Sequence, residues 1–374
     1  MVPFLSKTMS EKKCYQNKDT TRAKLTANMR DMVQCGLRDL PSERELCAAT
    51  GGSRKVIREL ISEMEQSGIL LRRNNKREIV GFRKFAVSVP VLYTALGRNM
   101  VWNCSWARLH YLLERIAPDY GVDLRLMLAP WPWKTAMAYQ RQIRNDAAKY
   151  LIITDTYETL AKNSFDFADK FCIFTDQDNV KHAENVVSVD NEEVGRTAAR
   201  ELHAAGYRTP ALFFEEHSGG YLPFLKRKHG FLDECARLGI ALSGEDLYVT
   251  AVHRHKSSLK DNLLRLLEAG ELFAKRRRND SFFAITDERV PLLCDIIREG
   301  GVYPADLGII SFNATNCSMH SRSPFATVSS ASSEIANTIL TAVAELENGR
   351  RDSLGHIAIK PTVHNRELLS RNRK

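Results

Sequence analysis

The chain has 374 residues, of which 44% are apolar and 26% charged, and its formal net charge is +9. This length predicts more than one domain, and no apolar run reaches the roughly 18 residues that a transmembrane segment needs. The N-terminus lacks the apolar core of a secretory signal, and the eight cysteines include no C-x-x-C pair. We therefore expect a cytoplasmic protein with reduced thiols and no membrane partner.

The positive charge is concentrated in the first quarter of the chain. Residues 1–90 contain 18 basic and 10 acidic residues, whereas residues 91–374 contain 36 basic and 35 acidic residues. Such asymmetry is typical of a nucleic-acid-binding or membrane-surface module joined to a nearly neutral domain.

The basic module predicts a flexible arm over residues 1–19 and then three helices. Ser42 and Glu45 have the S-x-x-E spacing of a capping box, which predicts a short second helix. A glycine turn follows, and Ser53 is a suitable N-cap for a third helix over about residues 54–67. Arg54, Lys55 and Arg58 lie near the start of that helix.

Two short strands, 69–71 and 78–80, are predicted around a basic tip at residues 72–77. Three helices followed by a hairpin predict a winged helix-turn-helix domain over residues 20–82, with a linker at 83–90. The start of the third helix would contact base edges, and Arg73, Lys76 and Arg77 of the tip would contact phosphates or the minor groove. The alternative is that these cations only solvate a small helical domain.

Residues 40–80 resemble the GntR-type bacterial DNA-binding domain. The resemblance rests on the LPSEREL start and on the S-R-x-x-x-R spacing of Ser53, Arg54 and Arg58. It implies that Arg44, Arg54 and Arg58 contact DNA. The family usually has Gly-x-Gly in the wing, where this chain has residues 75–77, Asn-Lys-Arg, so the wing departs from the family pattern.

From residue 91 onward, short apolar runs alternate with helical stretches, for instance strands at 150–154 and 210–214 and helices at 193–205 and 224–238. Continuous apolar runs are typical of parallel strands that are buried on both faces. We therefore predict an α/β domain with two open parallel sheets, whose ligand lies beyond the carboxyl ends of the strands.

This part resembles the effector domain of LacI-type repressors, which has the type I periplasmic-binding-protein fold. The matching segments are V-D-N-x-x-x-G at 189–195, R-x-x-G-F at 227–231, and the final strand-helix-strand at 283–313. The resemblance implies two lobes, which we expect at about 91–207 with 328–350 and at about 208–327 with 351–374. A GntR-type DNA-binding domain joined to such an effector domain is found in arabinose-responsive repressors. This resemblance implies a homodimer.

Candidate effector residues follow from the family positions and from one loop. Family positions supply Asp190, Arg227, Thr286 and Asn313, which suit the hydroxyl groups of a sugar. Asp287 either joins them or caps the next helix. Arg98 and Trp102 follow the first strand of the domain and are candidates for a pocket wall, although packing or a subunit interface would also explain the tryptophan.

No motif in the chain supports a catalytic or metal site. Phosphate-loop, dinucleotide-binding, nucleophile-elbow and H-E-x-x-H patterns are all missing. We therefore predict a non-enzymatic, sequence-specific DNA-binding transcriptional regulator, a repressor without a cofactor, whose effector is a small molecule such as a sugar. The alternative is a sugar-binding protein or carbohydrate enzyme whose basic N-terminal domain contacts RNA or protein.

Overall fold

A computed structural model describes residues 17–35, 37–66, 69–73, 76–80, 87–94, 105–129, 144–146, 148–154, 170–175, 184–216, 222–252, 259–315 and 317–370. The chain divides into two units, one comprising Met1–Phe85 and Pro118–Gly121 and the other Ala86–Ala117 and Val122–Lys374. Most of the predicted arm, residues 1–16, lies outside the described residues. The last four residues of the predicted linker, 87–90, belong to a strand of the larger unit.

The N-terminal unit contains the three predicted helices followed by an antiparallel hairpin: α1 (Lys18–Gln34), α2 (Glu43–Thr50), α3 (Arg54–Gln66), β1 (Leu70–Arg73) and β2 (Lys76–Ile79). The capping box is confirmed, because the backbone N–H of Ser42 donates to Glu45 Oε2 over 2.8 Å and the Ser42 hydroxyl accepts from the backbone of Glu45. Gly51, at φ 73°, ends α2 in a left-handed conformation that glycine adopts without strain.

The core of this unit is assembled mainly from the apolar face of α3. Ile57, Leu60, Ile61 and Met64 are all buried, and they pack with side chains from α1, α2 and the hairpin. Because these residues recur at helical spacing, burying them leaves the opposite face of α3 in solvent.

The hairpin differs from the prediction in its register. Both strands are longer at the tip, and Arg72 pairs with Arg77 and Arg73 with Lys76. The loop is therefore residues 74–75, which lie outside the described residues, and Arg77 is part of a strand. Extended backbone suits any residue, so the departure from Gly-x-Gly places no left-handed conformation on Arg77.

The larger unit contains two six-stranded sheets, ordered β13-β7-β6-β5-β3-β4 and β14-β12-β11-β10-β8-β9. Every pairing is parallel except that of β12 with β14. The predicted α/β fold with parallel sheets is confirmed. The strands are β3 (Val87–Thr94), β4 (Val122–Ala129), β5 (Tyr150–Thr154), β6 (Phe171–Thr175), β7 (Val186–Val189), β8 (Pro210–Glu216), β9 (Leu247–Val252), β10 (Ser281–Ala284), β11 (Gly308–Asn313), β12 (Ala326–Ser329), β13 (His356–Ile359) and β14 (Val363–His364).

The helices of the larger unit connect and cover these strands. They are α4 (Ser105–Ile116), α5 (Asn191–Ala204), α6 (Leu222–Arg237), α7 (Leu259–Arg276), α8 (Val290–Glu299), α9 (Cys317–His320), α10 (Ser332–Glu347) and α11 (Glu367–Ser370). Among the described helices, none combines the length and apolarity that crossing a membrane requires.

The chain crosses between the two sheets three times: after β7, after β12, and between β13 and β14. The crossings lie side by side, because Asp190 N–H donates to Ile359 O over 2.8 Å and Ser329 N–H donates to Thr362 O over 2.7 Å. We call the part around β3–β7 and β13 lobe one, and the part around β8–β12 and β14 lobe two.

These crossings correct the expected lobe boundaries. From the sequence we expect residues 191–207 in lobe one and residues 351–374 in lobe two. Instead, α5 packs on α6 and β11 in lobe two, whereas β13 pairs with β7 in lobe one. A helix joins the sheet that its apolar face covers, and the order of elements along the chain does not reveal which of two sheets that is.

Candidate effector site and nucleic-acid interface

The candidate effector residues meet at the carboxyl edge of the lobe-two sheet. There β10, β11 and β12 end at Ala284, Asn313 and Ser329, next to the first turn of α5. The edge of an open parallel sheet where strands end is the usual place for a ligand in this class of fold.

Arg227 on α6 is buried, with 4% of its surface exposed, at the centre of this edge. Its Nε donates to Asn191 Oδ1 over 2.8 Å, and its Nη1 donates to the carbonyl of Ile285 over 3.1 Å. The guanidinium carbon lies 3.6 Å from the centre of the Phe312 ring. Hydrogen bonds and the aromatic face compensate the buried cation and hold its planar fork in one orientation.

Two glycines explain how Arg227 reaches this position. A Cβ on Gly195 of α5 would collide with the backbone carbonyl of Arg227, and a Cβ on Gly230 of α6 would collide with the carbonyl of Glu192. The two helices therefore pack backbone to backbone. These glycines belong to the V-D-N-x-x-x-G and R-x-x-G-F motifs, so both motifs encode a close helix contact as well as polar residues.

Asp190 lies at the crossing between β7 and α5 and caps the helix. Its Oδ1 accepts from the backbone N–H of Glu193 over 2.9 Å. The residue is half-buried. This contact provides an acceptor for one of the backbone N–H groups at the start of α5 that have no partner within the helix. A contact between Asp190 and an effector remains a prediction.

Asp287 is fully buried and does not cap the following helix, which corrects one of its two predicted roles. Its carboxylate accepts from the hydroxyls of Ser311 and Thr327, and from the backbone and hydroxyl of Thr315 over 2.7 and 3.0 Å. Burial raises the pKa of Asp287 to about 7, although these hydrogen bonds favour the charged form. The side chain therefore ties the segment after β10 to β11 and β12. A contact between Asp287 and an effector remains a prediction.

Asn313 ends β11 with unusual geometry for a residue with a side chain. Its φ is 130°, in the region that favours glycine, and only 8% of its surface is exposed. Its Nδ2 donates to Glu288 Oε1 over 3.3 Å. Within the described part of the chain its Oδ1 is buried without a hydrogen-bond partner. Thr286, two residues after the end of β10, is half-buried.

Sequence reasoning missed three members of this edge. Asn191 orients Arg227, Glu288 contacts Asn313, and Glu215 at the end of β8 forms an ion pair with Arg289 over 3.0 Å. Their only signal in the sequence is position, since each lies within four residues of the carboxyl end of a strand. Arg98 and Trp102, predicted to line a pocket, lie outside the described residues.

The predicted DNA-contacting side chains of α2 and α3 lie in solvent. Arg44, Arg54 and Lys55 are exposed, and Arg58 is 65% exposed while its Nε contacts Glu43 over 2.8 Å. Ser53 Oγ accepts from the backbone of Val56 over 3.3 Å, which is the predicted capping contact.

The electrostatics of the α3 start are unfavourable for the isolated protein. Arg54 and Lys55 occupy its first turn, which holds no acidic residue, and in the described chain neither makes an ion pair. Backbone N–H groups already place partial positive charge at a helix N-terminus, so cations there raise the free energy. An anion placed against this turn would relieve that cost.

The hairpin cations are less available than predicted. Arg77 Nε lies 2.6 Å from Glu65 Oε1 of α3, and Lys76 Nζ lies 3.1 Å from Asp39. Lys76 remains 76% exposed, whereas the side chain of Arg73 is outside the described residues. Arg77 therefore links the hairpin to α3, and a contact between the hairpin cations and DNA remains a prediction.

No group of three His, Cys, Asp or Glu side chains among the described residues could hold a metal ion.

Two family models match the larger unit. Residues 90–270 match the periplasmic binding proteins and sugar-binding domain of the LacI family, and residues 199–367 match the periplasmic binding protein-like domain. Among curated proteins, none matches the chain.

Solved structures of transcription regulators share the fold at low sequence identity. A transcriptional regulator CelR–cellobiose complex is 13% identical, with 93% of this chain and 98% of that chain covered at a TM-score of 0.62. The lac repressor dimer bound to operator and an anti-inducer is 13% identical over 75% and 93%, with a TM-score of 0.57. The regulator CcpA of Lactococcus lactis is 13% identical over 75% and 98%, also at 0.57. Residues 90–367 therefore form a periplasmic-binding-protein-like domain.

Proposed function

We propose that the chain is a sequence-specific DNA-binding transcriptional regulator, a repressor whose operator affinity is controlled by a small-molecule effector, most simply a sugar. One observation carries the proposal. A single chain contains both a helix, α3, whose exposed first turn has cations and no acidic residue, and a domain of a type that binds small ligands. The structural neighbours support it, because they are transcription regulators, one in complex with cellobiose and one bound to its operator.

The N-terminal unit is, in this proposal, a winged helix-turn-helix of the GntR type. Its three helices and antiparallel hairpin support that assignment, as does the S-R-x-x-x-R segment that begins α3. Arg54, Lys55 and Arg58 would enter the major groove, and Arg44 would contact bases or the backbone near the start of α2. Two chains in a symmetric homodimer would place two such helices on a near-palindromic operator.

The effector would bind at the carboxyl edge of lobe two, between the lobes. Arg227 and Asn313 would donate to and accept from its hydroxyl groups. Asp190 follows β7 of lobe one, and Thr286 follows β10 of lobe two. Ligand binding would favour one relative arrangement of the lobes. It can change operator affinity only by as much as it binds one arrangement more tightly than the other.

The decisive experiment is a band shift on the promoter of the chain's own gene, with excess competitor DNA. Wild type should form a discrete complex, and the double variant Arg54→Ala plus Arg58→Ala should lose at least tenfold in affinity, because each base-reading arginine contributes about 1–3 kcal/mol.

The matched control is Arg265→Ala plus Arg322→Ala, which removes two exposed cations from lobe two. It should bind the promoter like wild type. Equal losses in both double variants would mean that only net charge matters, and unchanged binding by the α3 variant would refute the recognition-helix assignment.

A further inference from the structure

A hydrogen bond outside the three crossings joins lobe one to lobe two. Arg108 lies on α4, which connects β3 to β4 in lobe one. Its Nη1 donates to the backbone carbonyl of Ala314, which directly follows β11 in lobe two, over 2.9 Å. We call this bond the interlobe contact. Because Arg108 is exposed, the bond can break without leaving a buried charge behind.

The acceptor of the interlobe contact lies in a segment with an unfavourable backbone. Asn313 has a φ of 130° and Ala314 has a φ of 52°. Residues with a Cβ rarely adopt either value, and here two such residues are adjacent. Backbone strain of this kind persists only where the surrounding structure enforces it, and it is concentrated at functional sites and switching segments.

A buried carboxylate enforces this conformation from the interior of lobe two. Asp287 accepts from the backbone N–H of Thr315 over 2.7 Å and from the hydroxyl of Thr327 over 2.9 Å. The same Thr327 oxygen accepts from the backbone N–H of Ala314 over 3.1 Å. Ala314 is therefore fixed to lobe two on both sides of its carbonyl, and that carbonyl cannot follow Arg108 if the lobes move apart.

The strain at Ala314 serves its backbone groups, because its methyl side chain has no polar atom to orient. The positive φ sets the direction of the N–H and of the carbonyl. The N–H is bound within lobe two, whereas the carbonyl is bound from lobe one. The segment therefore presents a rigid acceptor to a donor on the other lobe, and the contact is made only in lobe arrangements that bring the two together.

We propose that Arg108 is a positioning residue that stabilises the lobe arrangement of this structure through its bond to the Ala314 carbonyl. The inference rests on the proposed function, because it names a contact that biases the equilibrium on which effector and operator would both act. A hydrogen bond from a charged donor is strong enough to shift such an equilibrium several-fold even at an exposed position.

The first test measures the lobe arrangement of the full chain without effector or DNA. Spin labels on genetically encoded amino acids replace Lys149, which directly precedes β5 in lobe one, and Glu299, which ends α8 in lobe two; both are exposed. Dilution with excess unlabelled protein leaves only distances within one chain. Arg108→Met keeps an extended apolar side chain and removes the donors, so the ratio of other distances to the wild-type distance should rise at least threefold.

Two further variants control this measurement. Arg115 is exposed on the same helix and, within the described chain, makes no ion pair or hydrogen bond, so Arg115→Met should give the wild-type distances. Arg108→Lys keeps a charged donor and should restore part of the wild-type population. An Arg108→Met distribution identical to that of wild type overturns the inference, whether or not the chain binds DNA or a sugar.

The second test determines whether the interlobe contact is coupled to binding. Fluorescence anisotropy measures affinity for the promoter fragment, and calorimetry measures affinity for whichever of glucose, arabinose and cellobiose raises the melting temperature of wild type. Arg108→Met should change both affinities at least threefold, with a melting temperature equal to that of Arg115→Met. The changes should be opposite if the sugar weakens promoter binding by wild type, and parallel if it strengthens that binding.

The linked signs separate the proposal from simpler roles of Arg108. A residue that only touched the sugar would change sugar affinity and leave promoter affinity as it was. A change in one affinity alone, or a pair of signs that breaks the linkage, therefore overturns the inference. If wild type fails to bind the promoter, the proposed function fails, and the distance measurement still decides whether Arg108 holds the lobes.

Discussion

Arginine and lysine serve opposite purposes in the two units of this chain. At the start of α3, Arg54 and Lys55 are exposed and add positive charge to a helix end that is already positive. In lobe two, Arg227 is buried and held by Asn191, Ile285 and the Phe312 ring. The exposed cations of α3 raise the free energy of the isolated protein, and a bound anion would lower it. The buried Arg227 is instead fixed in one orientation as part of the candidate effector site.

The largest effect expected from this contrast is that of Arg227→Ala. It leaves buried hydrogen-bond acceptors without a donor and opens a cavity beside Phe312, so the larger unit should lose about 3–5 kcal/mol of unfolding free energy. Denaturant unfolding of the variant measures the loss. Arg265→Ala on exposed α7 should cost under about 0.5 kcal/mol, and equal costs at the two positions would show that Arg227 is not held as described.

The helix contact that positions Arg227 can be broken separately. Gly195→Ala places a methyl group against the backbone of α6, and forcing the helices apart should cost about 2–3 kcal/mol. Gly244→Ala is the control, because a Cβ there meets open space and the backbone is not left-handed. Near-equal melting temperatures of the two variants would contradict the role assigned to Gly195.

The buried carboxyl of Asp287 should give the larger unit a distinctive pH dependence. Its folded pKa of about 7 lies above the ordinary aspartate value of about 3.9, so the folded protein keeps a proton that the unfolded chain loses. That contribution to stability is complete below about pH 4 and is lost as the pH rises through 7.

Relative to Asp287→Asn, the wild-type unfolding free energy should therefore fall by about 2 kcal/mol between pH 5 and 7.5. The asparagine can keep most contacts by rotation of the neighbouring hydroxyls. Parallel pH profiles of the two proteins would show that the proton is not retained.

The smallest expected effect has the opposite sign and belongs to the α3 start. Arg54→Ala removes a cation from the positive end of the helix, so the N-terminal unit should gain a few tenths of a kcal/mol. Thermal unfolding at low salt checks this, and adding salt should shrink the gain. A destabilised variant would mean that Arg54 makes stabilising contacts within the protein.

Sequence patterns that act over a few neighbouring residues predicted much of the fold, but they did not predict the contacts of the candidate effector site. The Ser42–Glu45 capping box and the apolar spacing of α3 act over a few residues, so the sequence predicted them correctly. Gly195 was visible as a motif residue, but its collision partner lies on another helix. Glu288 and Asn191 gain their roles only when strands that are distant in sequence end together, and the burial of Asp287 depends on hydroxyls from β11 and β12.

The most direct test of the central claim is the salt dependence of promoter binding, measured by fluorescence anisotropy on a fragment from the chain's own gene. Wild type should bind with an affinity that falls linearly with salt on logarithmic axes, and the Arg54→Ala plus Arg58→Ala variant should bind more weakly, with a slope reduced by about 2 if both side chains neutralise phosphates. Unchanged affinity and an unchanged slope in the variant would contradict the account, because DNA would then be bound by another surface.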